Sequence, residues 1–155
     1  MISSQNIPAI SDILPHRDSM LLLDRLLDFD ATKATAEYVP RANAWYVDEG
    51  GNCPAWIGIE LMAQTIAAHV GILRRIEQLP AKLGALLGAQ RYVALQAAFA
   101  AGETLSIKTE MIYSDANGFS AYECLIAANG KDVANATLKV FEPDNFQTFL
   151  QEGLS

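Results

Sequence analysis

The sequence predicts an α+β fold in which a curved antiparallel sheet wraps one long central helix. Residues 61–73 carry no formal charge and place apolar side chains on every helical face, a pattern typical of a helix buried in a core. After Pro80 the chain turns to strand-like alternation interrupted by two Asn-Gly turns. Since a helix that is apolar on all sides must be covered on most of them, a curved sheet is the expected cover.

Length and composition limit the function classes. At 155 residues the chain is expected to form one domain over residues 1–155. A net charge of −7 argues against nucleic acid as the main partner, because phosphates repel an acidic surface. The start of the chain lacks the basic and apolar regions of a signal peptide, so a cytoplasmic location is expected. The two cysteines, Cys53 and Cys124, lack metal-ligand spacing, and no metal or cofactor is expected.

The elements before the helix are less regular. Residues 1–19 predict a lead-in with a short helical turn around Ile10 to Leu14, broken by Pro15. Residues 20–29 and 32–39 predict two strands of a hairpin. Residues 40–53 predict a loop that pivots on two consecutive glycines.

The central helix is predicted to begin at Pro54, a favourable first helical residue, and to run to about Gln78 before Pro80. It is too short, and too interrupted by polar residues, to span a bilayer. We interpret one of these polar residues, His69, as a core histidine with a satisfied hydrogen bond.

The remainder predicts strands in one antiparallel meander. One or two strands are expected within residues 83–99, and a half-buried strand from Leu105 to Tyr113. The Asn-Gly turns at 117–118 and 129–130 each begin a further strand. Residues 144–150 predict a short terminal helix capped by Asp144 or Asn145.

Three segments resemble the 3-hydroxyacyl-[acyl-carrier-protein] dehydratases. Residues 14–25 read Leu-Pro-His-Arg-Asp-Ser-Met-Leu-Leu-Leu-Asp-Arg, similar to a signature that opens with Leu-Pro-His-Arg and ends in Leu-Leu-x-Asp-Arg. Residues 54–64 read Pro-Ala-Trp-Ile-Gly-Ile-Glu-Leu-Met-Ala-Gln, similar to the family's Pro-Gly-Val-Leu-x-x-Glu-Ala-x-Ala-Gln. Residues 102–105, Gly-Glu-Thr-Leu, stand where the family has Gly-Asp-x-Leu. The signature with Met20 suits a divergent branch, that of the partner dehydratases of aryl-polyene synthesis.

The resemblance implies the hot-dog fold, in which a curved sheet wraps a long helix. It also implies acyl-carrier-protein thioesters as substrates and dimers with active sites at the subunit interface. One departure matters: the family histidine lies in a His-Phe-Pro loop fourteen residues before the helix carboxylate, and that count from Glu60 reaches Tyr46. The family glycine after the helix-opening proline is also replaced, by Ala55.

Glu60 is the strongest catalytic candidate. In the resembling family this residue takes part in proton transfer at C3, and burial would raise the pKa of a carboxyl and prepare it as an acid. The alternative is a helix-start carboxylate stabilised by the helix dipole and by free N–H groups. His16 is the candidate base, because it is the only histidine outside the helix. In the resembling signature it is usually structural, so a base role requires a rearranged site.

The candidate substrate-binding residues surround Glu60. The amides of Trp56 and Ile57 at the helix start could polarise a thioester carbonyl. Gln64, one turn after Glu60, could orient its carboxyl, and Tyr46 could hydrogen-bond the substrate. A basic patch on an otherwise acidic chain could receive an acidic carrier protein; it consists of Arg74, Arg75, Lys82 and Arg91. Ordinary solvated cations near a helix end explain it equally well.

These residues favour a 3-hydroxyacyl thioester dehydratase acting as a homodimer or as a heterodimer with a homologous dehydratase. Two alternatives remain open. A hot-dog thioesterase would use Glu60 to activate water or attack the thioester, and would need no histidine. A non-catalytic subunit would support an active, histidine-bearing partner.

Overall fold

The computed structural model describes residue 3 and residues 5–80 and 85–143. The elements are helix α1 (Ile10–Ile13), a 3₁₀ turn (Asp18–Met20), strands β1 (Arg25–Phe29), β2 (Lys33–Tyr38) and β3 (Cys53–Pro54), helix α2 (Ile57–Ile76), and strands β4 (Ala85–Ala94), β5 (Ala98–Phe99), β6 (Leu105–Ser114), β7 (Phe119–Ala128) and β8 (Lys131–Phe141).

Six strands form one antiparallel sheet in the order β1-β2-β6-β7-β8-β4, and α2 packs against every one of them. Burial alternates along much of β2, β6, β7 and β8. On β2, for example, Ala34, Ala36 and Tyr38 are buried while the intervening residues are more exposed. The buried face of α2 meets them with Leu61, Met62 and other apolar residues that are fully covered. The sheet wrapped around one helix, predicted from the apolar pattern, is therefore confirmed.

The hairpin before the helix forms as predicted, but its first strand begins at Arg25 rather than Met20. The reason lies in the hydrogen bonds of the preceding residues. The backbone amides of Leu22 and Leu23 donate to the side-chain oxygen of Gln64, so these donors are engaged by the helix. These two amides therefore do not pair with a neighbouring strand, and β1 begins after them.

The helix starts later than predicted. Cys53 and Pro54 pair with Phe99 and Ala98 as a two-stranded sheet, and the Ala55 amide donates to the carbonyl of Ala97 at 3.0 Å. This pairing holds the backbone extended at Pro54, and the helix begins only at Ile57. The assignment of Pro54 as the first helical residue is wrong, although the end before Pro80 is confirmed.

The strands after the helix do not form one meander. Strands β6, β7 and β8 follow each other as predicted, but β4 pairs with β8 at the far edge of the sheet. Because β2 already occupies the other side of β6, the free edge of β8 is the position that remains for β4. The helix predicted over 144–150 lies outside the described residues.

Candidate active site

Gln64 ties the N-terminal segment to the start of the central helix. Its side-chain nitrogen donates to the Met20 carbonyl at 2.7 Å, and its oxygen accepts the amides of Leu22 and Leu23 at 3.0 and 3.4 Å. The same nitrogen donates to Glu60 Oε1 at 3.0 Å. Both amide hydrogens and both oxygen lone pairs are thus used, at a side chain that is fully buried. A single residue therefore fixes both the segment and the carboxylate.

This tether places His16 opposite Glu60. His16 Nε2 lies 3.9 Å from Glu60 Oε1, within one chain and at the first turn of the helix. That separation exceeds a direct hydrogen bond, and both side chains are partly exposed to solvent. Arg17 stabilises the segment that carries His16, since its guanidinium donates to the carbonyls of Leu14 and His16 at 2.6 and 2.7 Å. Within the described residues His16 Nδ1 is buried and has no hydrogen-bond partner.

Glu60 is less buried than the apolar helix suggested. Its side chain is 41% exposed, and that of His16 is 27% exposed. The cause is its position: Glu60 lies in the first turn, on a face that the sheet does not cover, whereas Leu61 and Met62 point into the core. Burial, which the sequence suggested would prepare the acid, is therefore only partial in the single chain.

The helix-start amides divide into two groups. Those of Gly58 and Ile59 donate back to the carbonyls of Ala55 and Trp56, at 2.9 and 3.3 Å. Among the described residues no acceptor contacts the amides of Trp56 and Ile57. Two adjacent donors at a helix N-terminus suit an oxygen that carries partial negative charge. This end of the helix is the one where Glu60 lies.

Tyr46, which lies fourteen residues before Glu60, is buried. Its hydroxyl forms a short hydrogen bond with that of Tyr38 and accepts the Arg41 amide at 3.3 Å. Burial raises the pKa of Tyr46, so the phenol stays neutral at physiological pH. Its hydroxyl is thus engaged by the protein, and a contact with substrate stays a prediction.

Two exposed tryptophans flank the site. Trp56 and Trp45 are 59% and 56% exposed, and their ring centroids lie 6.5 Å apart. Trp45 Nε1 donates to the Ser19 carbonyl at 2.9 Å, which joins its loop to the segment that carries His16. Sequence reasoning did not select Trp45, because the loop that carries it has no periodic pattern. The pair forms an apolar rim beside Glu60.

The predicted basic patch is divided between different surfaces. Arg74 and Arg75 lie in the last turn of α2, where they donate to the carbonyls of Pro80 and Asp12 at 2.7 and 2.9 Å. Arg91 lies on β4 and lines a cavity of about 640 Å³ on the sheet together with Lys33 and Lys108. Lys82 lies outside the described residues. Carrier-protein binding by these four residues stays a prediction.

Comparison with known families identifies the chain. The family model for ApeP-like proteins, described as ApeP dehydratase, matches residues 8–151. The chain belongs to the ApeP-like dehydratase family. This assignment confirms the divergent dehydratase branch that the segments around His16 and Glu60 indicated. No curated protein matches the sequence significantly.

Solved structures similar to this ApeP-like chain share its hot-dog fold. The dehydratase heterocomplex ApeI:P from Xenorhabdus doucetiae matches with a TM-score of 0.86 at 23% identity, over 93% of this chain and 97% of that one. A hypothetical thioesterase with coenzyme A from Streptococcus pneumoniae matches with a TM-score of 0.61 at 18% identity, over 76% and 84%. The E. coli PaaI protein matches with a TM-score of 0.60 at 15% identity, over 75% and 80%.

Within the described residues no helix is long and apolar enough to cross a membrane. The same residues contain no cluster of three or more side chains suited to a metal ion. The cytoplasmic location stays a prediction.

Proposed function

We propose that this chain is a subunit of a dehydratase that removes water from 3-hydroxyacyl thioesters of an acyl carrier protein. The observation that carries the proposal is the approach of His16 Nε2 to Glu60 Oε1 at 3.9 Å. In this proposal one chain supplies both the base and the acid, although the count from Glu60 to the family's histidine reaches Tyr46. Membership of the ApeP-like dehydratase family supports the same reaction.

In the proposed reaction each of these groups has one role. The amides of Trp56 and Ile57 bind the thioester carbonyl oxygen and stabilise the enolate that develops when C2 loses its proton. His16 Nε2 accepts that proton, and Glu60 in its protonated form donates a proton to the C3 hydroxyl. The C2–H and C3–O bonds break, a C2–C3 double bond forms, and water leaves. Gln64 holds the Glu60 carboxyl in position by donating to Oε1.

The open site favours a complex with a homologous dehydratase subunit. In the single chain Glu60 is 41% exposed, and the rim of Trp45 and Trp56 faces solvent. An active site that excludes water strengthens its electrostatic interactions, so a second subunit over this rim would complete it. The similar ApeI:P structure is itself described as a heterocomplex. A cytoplasmic carrier protein would then deliver the acyl chain.

The test is a mass measurement of the carrier-protein thioester after incubation with the protein. The purified protein is incubated with a 3-hydroxyacyl carrier-protein thioester, alone and mixed with a histidine-bearing homologous subunit. We expect loss of one water from the bound acyl group, abolished by Glu60→Gln. The control is Glu77→Gln, which changes an exposed glutamate just after the far end of the same helix.

The outcomes separate three functions. An enoyl thioester that depends on Glu60 supports dehydration. Free carrier protein and free acid would instead identify a thioesterase. Dehydration by the mixture that is unaffected by Glu60→Gln would identify a non-catalytic partner subunit, and would contradict the proposed role of this site.

A further inference from the structure

Tyr92 reaches the start of the central helix from the edge of the sheet. The pairing of β4 with β8 shifts register between Gln90 and Val93, and Arg91 within this bulge has a φ of 52°. A bulge re-aims the side chains of its strand. Arg91 and Val93 are exposed, whereas Tyr92 is half-buried and packs against the core.

The hydroxyl of Tyr92 donates a short hydrogen bond to the carbonyl of Ala55. Burial raises the pKa of Tyr92 to about 12, so the phenol remains a proton donor at any physiological pH. Gly58 allows this approach: a Cβ added there would lie 3.2 Å from Tyr92 Cζ and closer still to the hydroxyl. The same carbonyl accepts the Gly58 amide at 2.9 Å, so it is held from two directions.

The carbonyl of Ala55 and the amide of Trp56 belong to one peptide unit. In a trans peptide the C=O and N–H bonds lie in one plane and point in opposite directions, and no cis peptide occurs among the described residues. A hydrogen bond that fixes the Ala55 carbonyl therefore also fixes the direction of the Trp56 N–H. That N–H is one of the two helix-start donors that have no acceptor among the described residues.

We propose that Tyr92 is a positioning residue, which aims the Trp56 N–H at the substrate's thioester carbonyl through the Ala55–Trp56 peptide plane. The inference rests on the proposed function, because it gives that amide its role as the oxyanion donor. Removing the hydroxyl leaves the Ala55 carbonyl held by Gly58 alone and allows the plane to rotate. The donor is then misdirected although it is still present.

The first measurement requires no turnover. Labelling alanine with ¹³C at the carbonyl and tryptophan with ¹⁵N yields two correlated signals, from Ala44–Trp45 and Ala55–Trp56. In Tyr92→Phe we expect the Ala55 carbonyl and Trp56 amide signals to move while the Ala44–Trp45 signal stays. Tyr113→Phe is the matched control, because its hydroxyl donates only to the exposed Asp115 among the described residues. An unmoved Ala55–Trp56 signal in Tyr92→Phe overturns the proposal.

The second measurement is a titration with a 3-hydroxyacyl-pantetheine amide, an unreactive analogue with nitrogen in place of the thioester sulfur. In the wild type we expect the analogue to shift the Trp56 amide signal, and in Tyr92→Phe we expect this shift to be largely lost. If the analogue leaves Trp56 unchanged in the wild type, the proposal is overturned. If it shifts Trp56 as expected but no dehydration occurs, the proposed reaction fails while the role of Tyr92 stands.

The third measurement is kinetic. In the form that dehydrates the carrier-protein thioester, Tyr92→Phe should lower kcat about 10- to 100-fold with little change in KM. A misdirected oxyanion donor weakens binding of the transition state more than binding of the ground state. A variant that is merely unstable would instead lose active molecules and keep kcat per folded enzyme unchanged. An unchanged kcat in folded Tyr92→Phe would overturn the proposal.

Discussion

The two histidines of this chain lie near opposite ends of its central helix and have opposite surroundings. His69, within the last two turns of α2, is 1% exposed, and its Nε2 contacts the Asp30 carbonyl at 2.8 Å. His16 comes from the N-terminal segment, is partly exposed and faces Glu60. Both rings have a buried Nδ1 without a partner among the described residues. The difference therefore lies in what Nε2 faces: a backbone carbonyl for His69, and a partly exposed carboxylate for His16.

His69 has a packing role, whereas a chemical role is proposed for His16. At the His69 end the ring also contacts Tyr122 edge-on and is enclosed by the sheet. At the Glu60 end the helix emerges from the sheet, and a buried polar tether through Gln64 replaces apolar cover. The same helix thus packs into the core at one end and, at the other, carries Glu60 beside His16, the pair that we propose to react.

The largest expected effect is a reciprocal pair of histidine substitutions. His16→Gln should lower dehydration about 10²- to 10⁴-fold, because it removes the proposed general base, while the free energy of unfolding stays nearly constant. His69→Leu should instead cost about 1–2 kcal/mol of stability by leaving the Asp30 carbonyl without its partner, with kcat per folded molecule unchanged. Urea unfolding and product mass measure the two quantities.

The proposed division between a chemical His16 and a structural His69 would be wrong if the two variants changed activity and stability in the same way. A folded His16→Gln with full activity would remove the base from the proposed reaction. A His69→Leu that folds well but does not dehydrate would give the buried histidine a chemical role.

The next largest effect is expected for Gln64→Leu. The substitution leaves the amides of Leu22 and Leu23 and the Met20 carbonyl without their partner, which should cost about 1–3 kcal/mol. Activity should fall further than stability explains, because the segment that carries His16 is released from the helix. A fully active variant would contradict the claim that Gln64 holds the His16 segment in its active position. Thermal unfolding and turnover, measured on the same samples, provide the check, with the exposed Gln90→Leu as control.

A smaller effect is the pH dependence of stability. Burial lowers the pKa of His69 below its ordinary value of 6.5. Below that value the unfolded chain binds a proton that the folded chain resists, so the free energy of unfolding should fall as the pH drops from 6.5 towards the lowered pKa. Urea titrations between about pH 7.5 and about pH 5 should show this loss, and His69→Leu should lack it. If the free energy of unfolding depended on pH equally in the wild type and in His69→Leu, the contribution of His69 would be refuted.

The smallest effect concerns the end of the helix alone. Gln78 has a φ of 58°, and the amides of Gln78 and Leu79 donate to the carbonyls of Arg75 and Arg74 at 3.1 and 2.9 Å. This is the Schellman motif, in which glycine is preferred at the position with positive φ. Gln78→Gly should therefore stabilise the protein by about 0.5–1 kcal/mol without changing activity. A rise in melting temperature would support this prediction. A change in kcat would contradict it, because it would show that the C-terminus of the helix affects the reaction at its N-terminus.

The fold was largely predictable because its signals are local. The uncharged run 61–73 indicates a buried helix, and the two Asn-Gly turns fix β6, β7 and β8 as consecutive neighbours. The position of β4 was not predictable, because pairing with β8 depends on which sheet edge is left free. The delayed helix start at Ile57 likewise depends on pairing between Pro54 and a residue far along the chain, Ala98.

The sequence alone determined the family and the candidate groups, because the motifs around His16 and Glu60 lie in continuous segments. Only the tertiary structure decided how those groups meet. The side chain of Gln64 reaches the carbonyl of Met20, 44 positions away, and thereby brings His16 to Glu60. Tyr92 reaches Ala55 across 37 positions through a strand bulge. Contacts between distant positions depend on how elements pack, and no local pattern of residue types encodes that packing.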